Sequence, residues 1–231
     1  MSISTPAGPR RSASSRTIRS TARRLALLWS AALVLICAGQ ALAQANPRNT
    51  FPGRRVGGGT RGECTSRTLA HLVPTSSVYA PGADRSVALL EGPIATPQPI
   101  RVEFRPLKGA PSTPQQRELP AAGAGITLLT PAPSGADTVW SSSYRCDSAS
   151  ATASDDPLAF IAAEAPPALS LLVKDVSAED RRVQTVLMRL RQSCGGRVPL
   201  AEVSQAFGLS DLITTDWPAT LPVRCLTLNK S

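Results

Sequence analysis

The sequence predicts a mainly β protein: a β-sandwich-like domain of about seven short strands, followed by a small helical unit at the C-terminus. The first observation is a succession of short apolar runs between Cys64 and Val176, interrupted by prolines and glycines that exclude long helices. The second is a change to helical spacing of the apolar residues from Ser177 onwards. We therefore expect four segments, with the bounds 1–43, 44–63, 64–176 and 177–231.

Segment 1–43 has the three parts of a secretory signal peptide. A basic stretch without acids precedes an apolar run from Leu25 to Gly39, and Ala41 and Ala43 stand where a signal peptidase reads small side chains. The apolar run is shorter than the roughly 20 residues that a bilayer span needs, which disfavours the alternative of an uncleaved anchor. We expect cleavage after Ala43, export to the periplasm, outer surface or medium, and no membrane span in the mature form.

Most of the net positive charge of the chain lies in that signal segment. The full sequence has 25 Lys and Arg against 16 Asp and Glu, a formal net charge of +9. Six arginines and no acids fall within residues 1–43, so the net charge of residues 44–231 is +3. This modest charge gives little support to nucleic acid binding.

Segment 44–63 contains much glycine, proline and arginine and almost no apolar surface. We expect a flexible lead-in, because such a segment buries too little surface to offset the entropy of ordering. Its glycines lack the Lys-Ser or Lys-Thr and the preceding strand of a phosphate-binding loop. The candidate binding surface includes Arg54, Arg55 and Arg61, which could engage an acidic surface or serve as a tether, and Trp217, which with Trp140 and Tyr144 could form a stacking surface for sugar or peptide. Of these, Trp140 is expected instead to be buried in the sandwich.

Segment 64–176 provides the expected strands, which are identified by their apolar runs and the turns between them. In chain order they are Thr65–Val73, Ser86–Glu91, Ile100–Leu107, Gly125–Thr130, Thr138–Cys146, Leu158–Ala163 and Leu169–Lys174. Alternation is visible in "RVEFRPL", where Val102 and Phe104 share one face and the charged residues share the other. This pattern is typical of strands with one buried face.

Segment 177–231 begins with the clearest helix of the chain. Ser177 is the expected N-cap, acids follow in the first turn, and Gly195 comes after the last residue. The apolar face consists of Val183, Val186, Leu187, Leu190 and Cys194. A shorter helix is expected in "PLAEVSQAFG", and a last strand from Val223 to Leu228.

Four cysteines follow the signal segment: Cys64, Cys146, Cys194 and Cys225. An even number in an exported chain indicates disulfide bonds, and four cysteines allow three connectivities. Because Cys194 ends a helix and Cys225 lies in the last strand, a bridge between them would tie the C-terminal unit onto itself. With no C-x-x-C pair and a single histidine, the sequence does not support a zinc site, and we expect no metal or cofactor.

The stretch "GRRVGGGTRGEC" at residues 53–64 resembles the opening signature of an exported family without established activity, the domain-of-unknown-function 928 family. "LAHLVP" is similar to that family's Leu-Ile-Pro segment, and "WSSSYRCD" to its tryptophan-led strand. The resemblance spans about Gly53 to Asp147. It implies export, a β-rich domain and a disulfide between Cys64 and Cys146, but it implies no catalytic residue.

Two other functions have partial support in the sequence. His71 is the one candidate general base, so a hydrolase using His71 with carboxylates is an alternative, although a lone histidine more often has a structural role. "VPLAEVSQAFGLSDLITTDW" has the form of a helix-turn-helix with a second helix from Asp211. That second segment carries Asp211 and Asp216 but no cation, which is unsuited to phosphates and base edges.

These patterns together favour an exported, disulfide-stabilised binding or accessory module of the cell envelope. We expect its partner to be another envelope protein or an acidic surface, rather than nucleic acid. No catalytic residue is assigned, so the sequence favours a protein that is not an enzyme.

Overall fold

The computed structural model describes residues 47–58, 68–107, 114–145 and 167–227. The elements in chain order are α1 (Pro47–Thr50), β1 (Val56–Gly57), β2 (Leu69–His71), β3 (Val78–Tyr79), β4 (Val87–Glu91), β5 (Ile100–Pro106), β6 (Gln115–Leu119), β7 (Gly125–Thr130), β8 (Thr138–Tyr144), β9 (Ala168–Leu172), α2 (Ala178–Gln192), β10 (Arg197–Pro199), α3 (Leu200–Phe207), a 3-10 turn (Ser210–Leu212) and β11 (Thr220–Thr227). The predicted mainly β class with a small C-terminal helical part is confirmed.

The strands form two mixed sheets. The six-stranded sheet has the order β1-β2-β4-β7-β11-β10, and the five-stranded sheet has the order β3-β9-β8-β5-β6. Most neighbours are antiparallel, whereas β11 pairs with β7 and β3 pairs with β9 in parallel. Because β11 lies inside the six-stranded sheet, the C-terminal unit contributes a strand to the sandwich itself.

The two sheets pack face to face over a common apolar core. The ring of His71 on β2 stacks on that of Trp140 on β8, so the faces that carry these two residues point toward each other. Leu89 lies opposite His71 in its sheet, and Phe104 lies opposite Trp140 in the other. Because side chains alternate along a strand, these pairs identify the inner face of each sheet. Leu89, Phe104 and Trp140 belong to one buried cluster.

The two longer helices extend the same buried cluster. Six of their side chains are buried in it, namely Val183, Leu187 and Leu190 of α2 and Leu200, Val203 and Phe207 of α3. Helix α2 contacts β7 and β11, and Cys194 just beyond its end is bonded to Cys225 on β11. Thr127 pairs with the inner-face residue Leu89 and therefore also lies on the inner face. Its neighbours Ile126 and Leu128 consequently lie on the outer face of the six-stranded sheet. The helices therefore cover the outer face of the six-stranded sheet as a third layer.

The disulfide between Cys194 and Cys225 is present as the sequence predicts. The two Cα atoms are 5.7 Å apart, and the residues are separated by 31 positions. Gly195 and Gly196 follow Cys194 and exchange backbone hydrogen bonds with Val223 of β11, which fixes the geometry around the bridge. Cys64, Cys146 and the expected strand Leu158–Ala163 lie outside the described residues.

The expectation of a flexible lead-in is wrong for residues 47–58. Arg54 exchanges two backbone hydrogen bonds with Leu169 beside the five-stranded sheet, and Val56–Gly57 pairs with β2 of the other sheet. Gly53 allows this close approach, since a Cβ there would lie 2.4 Å from the Cβ of Ser77. The segment bridges both sheets through backbone and arginine hydrogen bonds, which an apolar count does not detect.

Four further strands were not predicted from the sequence. Strands β1, β3 and β10 have only two or three residues, too few for a period of two to be visible. Strand β6 has the polar sequence "QQREL" and pairs only with β5 at the edge of its sheet. The four strands that the sequence does not predict are therefore the edge strands of the two sheets.

The region after α3 does not form the second helix of a helix-turn-helix. Gly208 ends α3 in the left-handed conformation, and the following residues make only the 3-10 turn Ser210–Leu212. The chain then turns back toward β11, and Trp217 packs into the core with 8% of its surface exposed. This correction removes the structural basis for the helix-turn-helix hypothesis.

One buried carboxylate joins three distant parts of the chain. Asp180 in the first turn of α2 has no exposed surface, and its side chain accepts the backbone N–H of the N-cap Ser177 at 2.6 Å. It also accepts the N–H of Ala80 at 3.2 Å and forms an ion pair with Arg48 at 2.5 Å. Helix α2, the end of β3 and α1 are therefore held at one point.

We expect the Arg48→Met substitution to lower the free energy of unfolding by about 3–5 kcal/mol, because the buried Asp180 carboxylate loses its countercharge. Urea unfolding followed by circular dichroism measures this change. The matched control is Arg145→Met, which breaks the exposed pair with Glu118, both side chains being about half exposed. The control should cost no more than about 1 kcal/mol. Equal effects of the two substitutions would contradict this role of Asp180.

We also expect the double substitution Cys194→Ser/Cys225→Ser to lower the free energy of unfolding by about 3–4 kcal/mol. The reason is that the open chain regains the entropy of a loop of about 30 residues. The same urea experiment on the double variant and on the wild type checks the value. An unchanged unfolding midpoint would show that the bridge contributes nothing to stability.

Candidate functional site

His71 lies at the centre of the sandwich, with no exposed surface. Its Nδ1 is 2.8 Å from the hydroxyl of Ser170 and its Nε2 is 3.0 Å from that of Ser142. The imidazole stacks on Trp140 with ring centroids 3.5 Å apart and an angle of 4° between the planes. His71 therefore links the six-stranded sheet to two strands of the other sheet, and Ser142 of "WSSSYR" has an inward role.

Burial lowers the pKa of His71 well below its ordinary value of 6.5, so the imidazole is neutral. A neutral ring has one N–H and one lone pair, so it donates to one serine hydroxyl and accepts from the other. Among the described residues, both ring nitrogens bond to hydroxyls and neither bonds to a carboxylate. This geometry does not support the hydrolase alternative, which needs a carboxylate partner and an accessible base.

The depressed pKa of His71 predicts a loss of stability at mildly acidic pH. Above pH 6.5 the histidine is neutral in both folded and unfolded chains, but below it the unfolded chain binds the proton first. The free energy of unfolding should fall as the pH falls from 6.5 toward about 5. His71→Gln should reduce this slope in chemical unfolding, since the chain has no other histidine. A slope as steep in the variant as in the wild type would contradict the prediction.

The candidate surface of arginines and Trp217 is not assembled in the structure. Arg55 is half-buried, and its guanidinium donates to the backbone oxygens of Val73, Phe207 and Gly208 at 2.7–3.2 Å. It thus stabilises the C-terminal end of α3, where backbone carbonyls lack helical partners. Trp217 is buried as described above. Arg54 is exposed, and Arg61 lies outside the described residues.

A cleft of about 570 Å³ opens at one end of the sandwich, and we call it the end cleft. Its floor includes Phe104 near the end of β5 and Leu172 at the end of β9, both on the inner face of their sheet. Its walls include the loop 81–86 before β4 and the loop 131–137 after β7. The end cleft therefore lies where both sheets finish at the same end.

Two cations line the end cleft, Arg85 and Lys174, and no acidic side chain among the described residues does. Arg85 is half-buried and donates to the carbonyl oxygen of Pro131 at 2.8 Å, which connects the two loop walls. Its backbone has a φ of 50°, in the left-handed region that non-glycine residues rarely occupy. Lys174 is exposed just beyond β9.

The sequence marks these loops only as turns. "APGADR" and "TPAPSGAD" contain the prolines and glycines expected between strands, but they are about 50 residues apart, and the sequence does not show that they meet. Their approach depends on the antiparallel pairing of β4 with β7. A positive φ at Arg85 has no sequence signal, because Arg is not a residue that favours it.

The opposite end of the sandwich contains a buried polar cluster. Glu91 is 2% exposed, and its Oε1 accepts from the Thr127 hydroxyl at 2.9 Å and from Arg224 at 3.0 Å. Burial raises the pKa of Glu91, while the Arg224 charge opposes that rise. Gly125 lies opposite Glu91, and a Cβ there would come 2.7 Å from the Arg224 guanidinium. The cluster anchors β11 to β4 and β7.

The chain matches no protein-family model, no curated protein and no solved structure. Within residues 47–58, 68–107, 114–145 and 167–227, none of the helices is long and apolar enough to cross a membrane. The function proposed below is therefore argued from the geometry of the end cleft and from the chemistry of the sequence.

Proposed function

We propose that the protein is an exported, disulfide-stabilised binding module of the cell envelope, related to the domain-of-unknown-function 928 family, and that it holds a small ligand in the end cleft. The observation that carries this proposal is the cleft itself. Its volume of about 570 Å³ lies within the range of small-molecule sites. Its loops stand on a sandwich scaffold, which is a common arrangement of binding sites.

Two further observations support the proposal. A disulfide such as Cys194–Cys225 is compatible with the oxidising compartments that an exported chain reaches. The left-handed backbone of Arg85 is a strained conformation, and such strain is concentrated at ligand-binding and active sites. A binding role without catalysis fits best, because His71 lies between the sheets with its ring nitrogens bonded to serines and does not line the cleft.

One substitution can test the end cleft. Gly135 lines it, and a Cβ at this exposed position meets no atom within 4 Å, so we expect Gly135→Trp to fold normally and to place its indole in the cleft. The matched control is Gly123→Trp. Gly123 is also exposed and open around its Cβ, but it precedes β7 and so lies at the opposite end of the sandwich.

We expect 1-anilinonaphthalene-8-sulfonate, an apolar anionic dye, to bind the wild type and Gly123→Trp with equal affinity. Gly135→Trp should weaken binding about tenfold or more, which corresponds to about 1.4 kcal/mol. Fluorescence titration measures the affinity, and equal thermal unfolding midpoints ensure that the folded state is compared. Equal dye affinity of the two variants, or no binding by the wild type, would refute the end cleft as a ligand site.

A further inference from the structure

We infer that the ligand of the end cleft is an amphipathic anion, an apolar body that carries one carboxylate. This inference rests on the proposed function and adds the chemical class of the ligand. It is carried by a lining that combines apolar residues with two cations and, among the described residues, no acid.

The floor of the cleft fits an apolar body. Phe104 and Leu172 have at most 7% of their surface exposed and belong to the apolar cluster between the sheets, and Val173, 9% exposed, belongs to a second apolar cluster. Pro131 and Pro133 extend this surface along the loop wall. A hydrocarbon chain or ring placed there would remove apolar surface from water on both sides, which is the main driving force for such binding.

The rim of the cleft fits a negative charge. Arg85 lies in the loop 81–86 and Lys174 just beyond β9, and the acids next to lining residues in sequence, Asp84, Asp137 and Asp175, do not line the cleft. A carboxylate in the cleft would therefore be attracted by the two cations that line it. A ligand with an ammonium group would be repelled by them.

The guanidinium of Arg85 favours a carboxylate over a single-atom anion. One of its Nη1 N–H groups donates to Pro131, and this is its one hydrogen bond within the described part of the chain. The other N–H groups of the planar fork match the two oxygens of a carboxylate. The bond to Pro131 also fixes the position of the guanidinium before a ligand arrives, which reduces the entropy lost on binding.

The test uses three probes with the same chain and different head groups: sodium octanoate, 1-octanol and octylammonium chloride. Each displaces the dye from the wild-type protein at neutral pH, and its affinity follows from the loss of fluorescence. We expect octanoate to bind about tenfold more tightly than octanol, and octylammonium to bind most weakly. Gly135→Trp should weaken the binding of all three probes.

Two variants test which charge is responsible. Lys174→Gln should weaken octanoate binding about fivefold and leave octanol binding unchanged, because it removes charge but little apolar surface. The control Arg105→Gln removes an exposed cation of β5 that does not line the cleft, and it should leave all three affinities unchanged. Equal octanoate affinities of Lys174→Gln and Arg105→Gln would overturn the assignment of the head group to this rim.

The outcomes separate this inference from the proposed function. If the three probes bind with equal affinity and Gly135→Trp weakens them all, the cleft is a binding site but the inference about the anion is wrong. If Gly135→Trp affects none of the probes, the proposed function fails as well. Preference for octanoate, with sensitivity to both Gly135→Trp and Lys174→Gln, supports the inference.

Discussion

The buried carboxylate of Asp180 is the interaction on which much of the architecture depends. A carboxylate without exposed surface is tolerated only when its oxygens are paired, and here the partners are the N-cap of α2, the end of β3 and Arg48. Arg48 and Asp180 are 132 positions apart in the chain. Helices α1 and α2 must therefore both be in place for this ion pair to form, so the two parts of the chain fold cooperatively and not as separate modules.

A second polar link specifies how the sheets face each other. Apolar side chains alone would tolerate small shifts of one sheet over the other, whereas His71 forms hydrogen bonds to Ser142 and Ser170 in a single arrangement. Stacking on Trp140 adds an orientation to that position. Only 4% of the residues are aromatic, and at the centre of the sandwich one tryptophan is in direct contact with the histidine.

The sequence predicts the elements better than it predicts the site. Strand β7 has the predicted bounds Gly125–Thr130, and α2 begins after the predicted cap, because apolar runs and capping residues are local signals. Arg55 and Trp217 were assigned to a surface, but their partners come from other parts of the chain, so only tertiary structure shows that they are internal. The end cleft was missed for the same reason, since its walls are loops brought together by strand pairing.

The C-terminal helical unit acquires a role in this arrangement. Helix α2 contacts both ends of the loop 81–86: Asp180 and Gln184 bond to the backbone of Ala80 before it, and Arg191 bonds to the hydroxyl of Ser86 at its end. The disulfide that follows α2 attaches the helix to the six-stranded sheet. A loop held in this way can maintain the left-handed backbone of Arg85 without a ligand, because its neighbours oppose relaxation. The helix thus supports one wall of the cleft, and its own surface need not contact a ligand to contribute to binding.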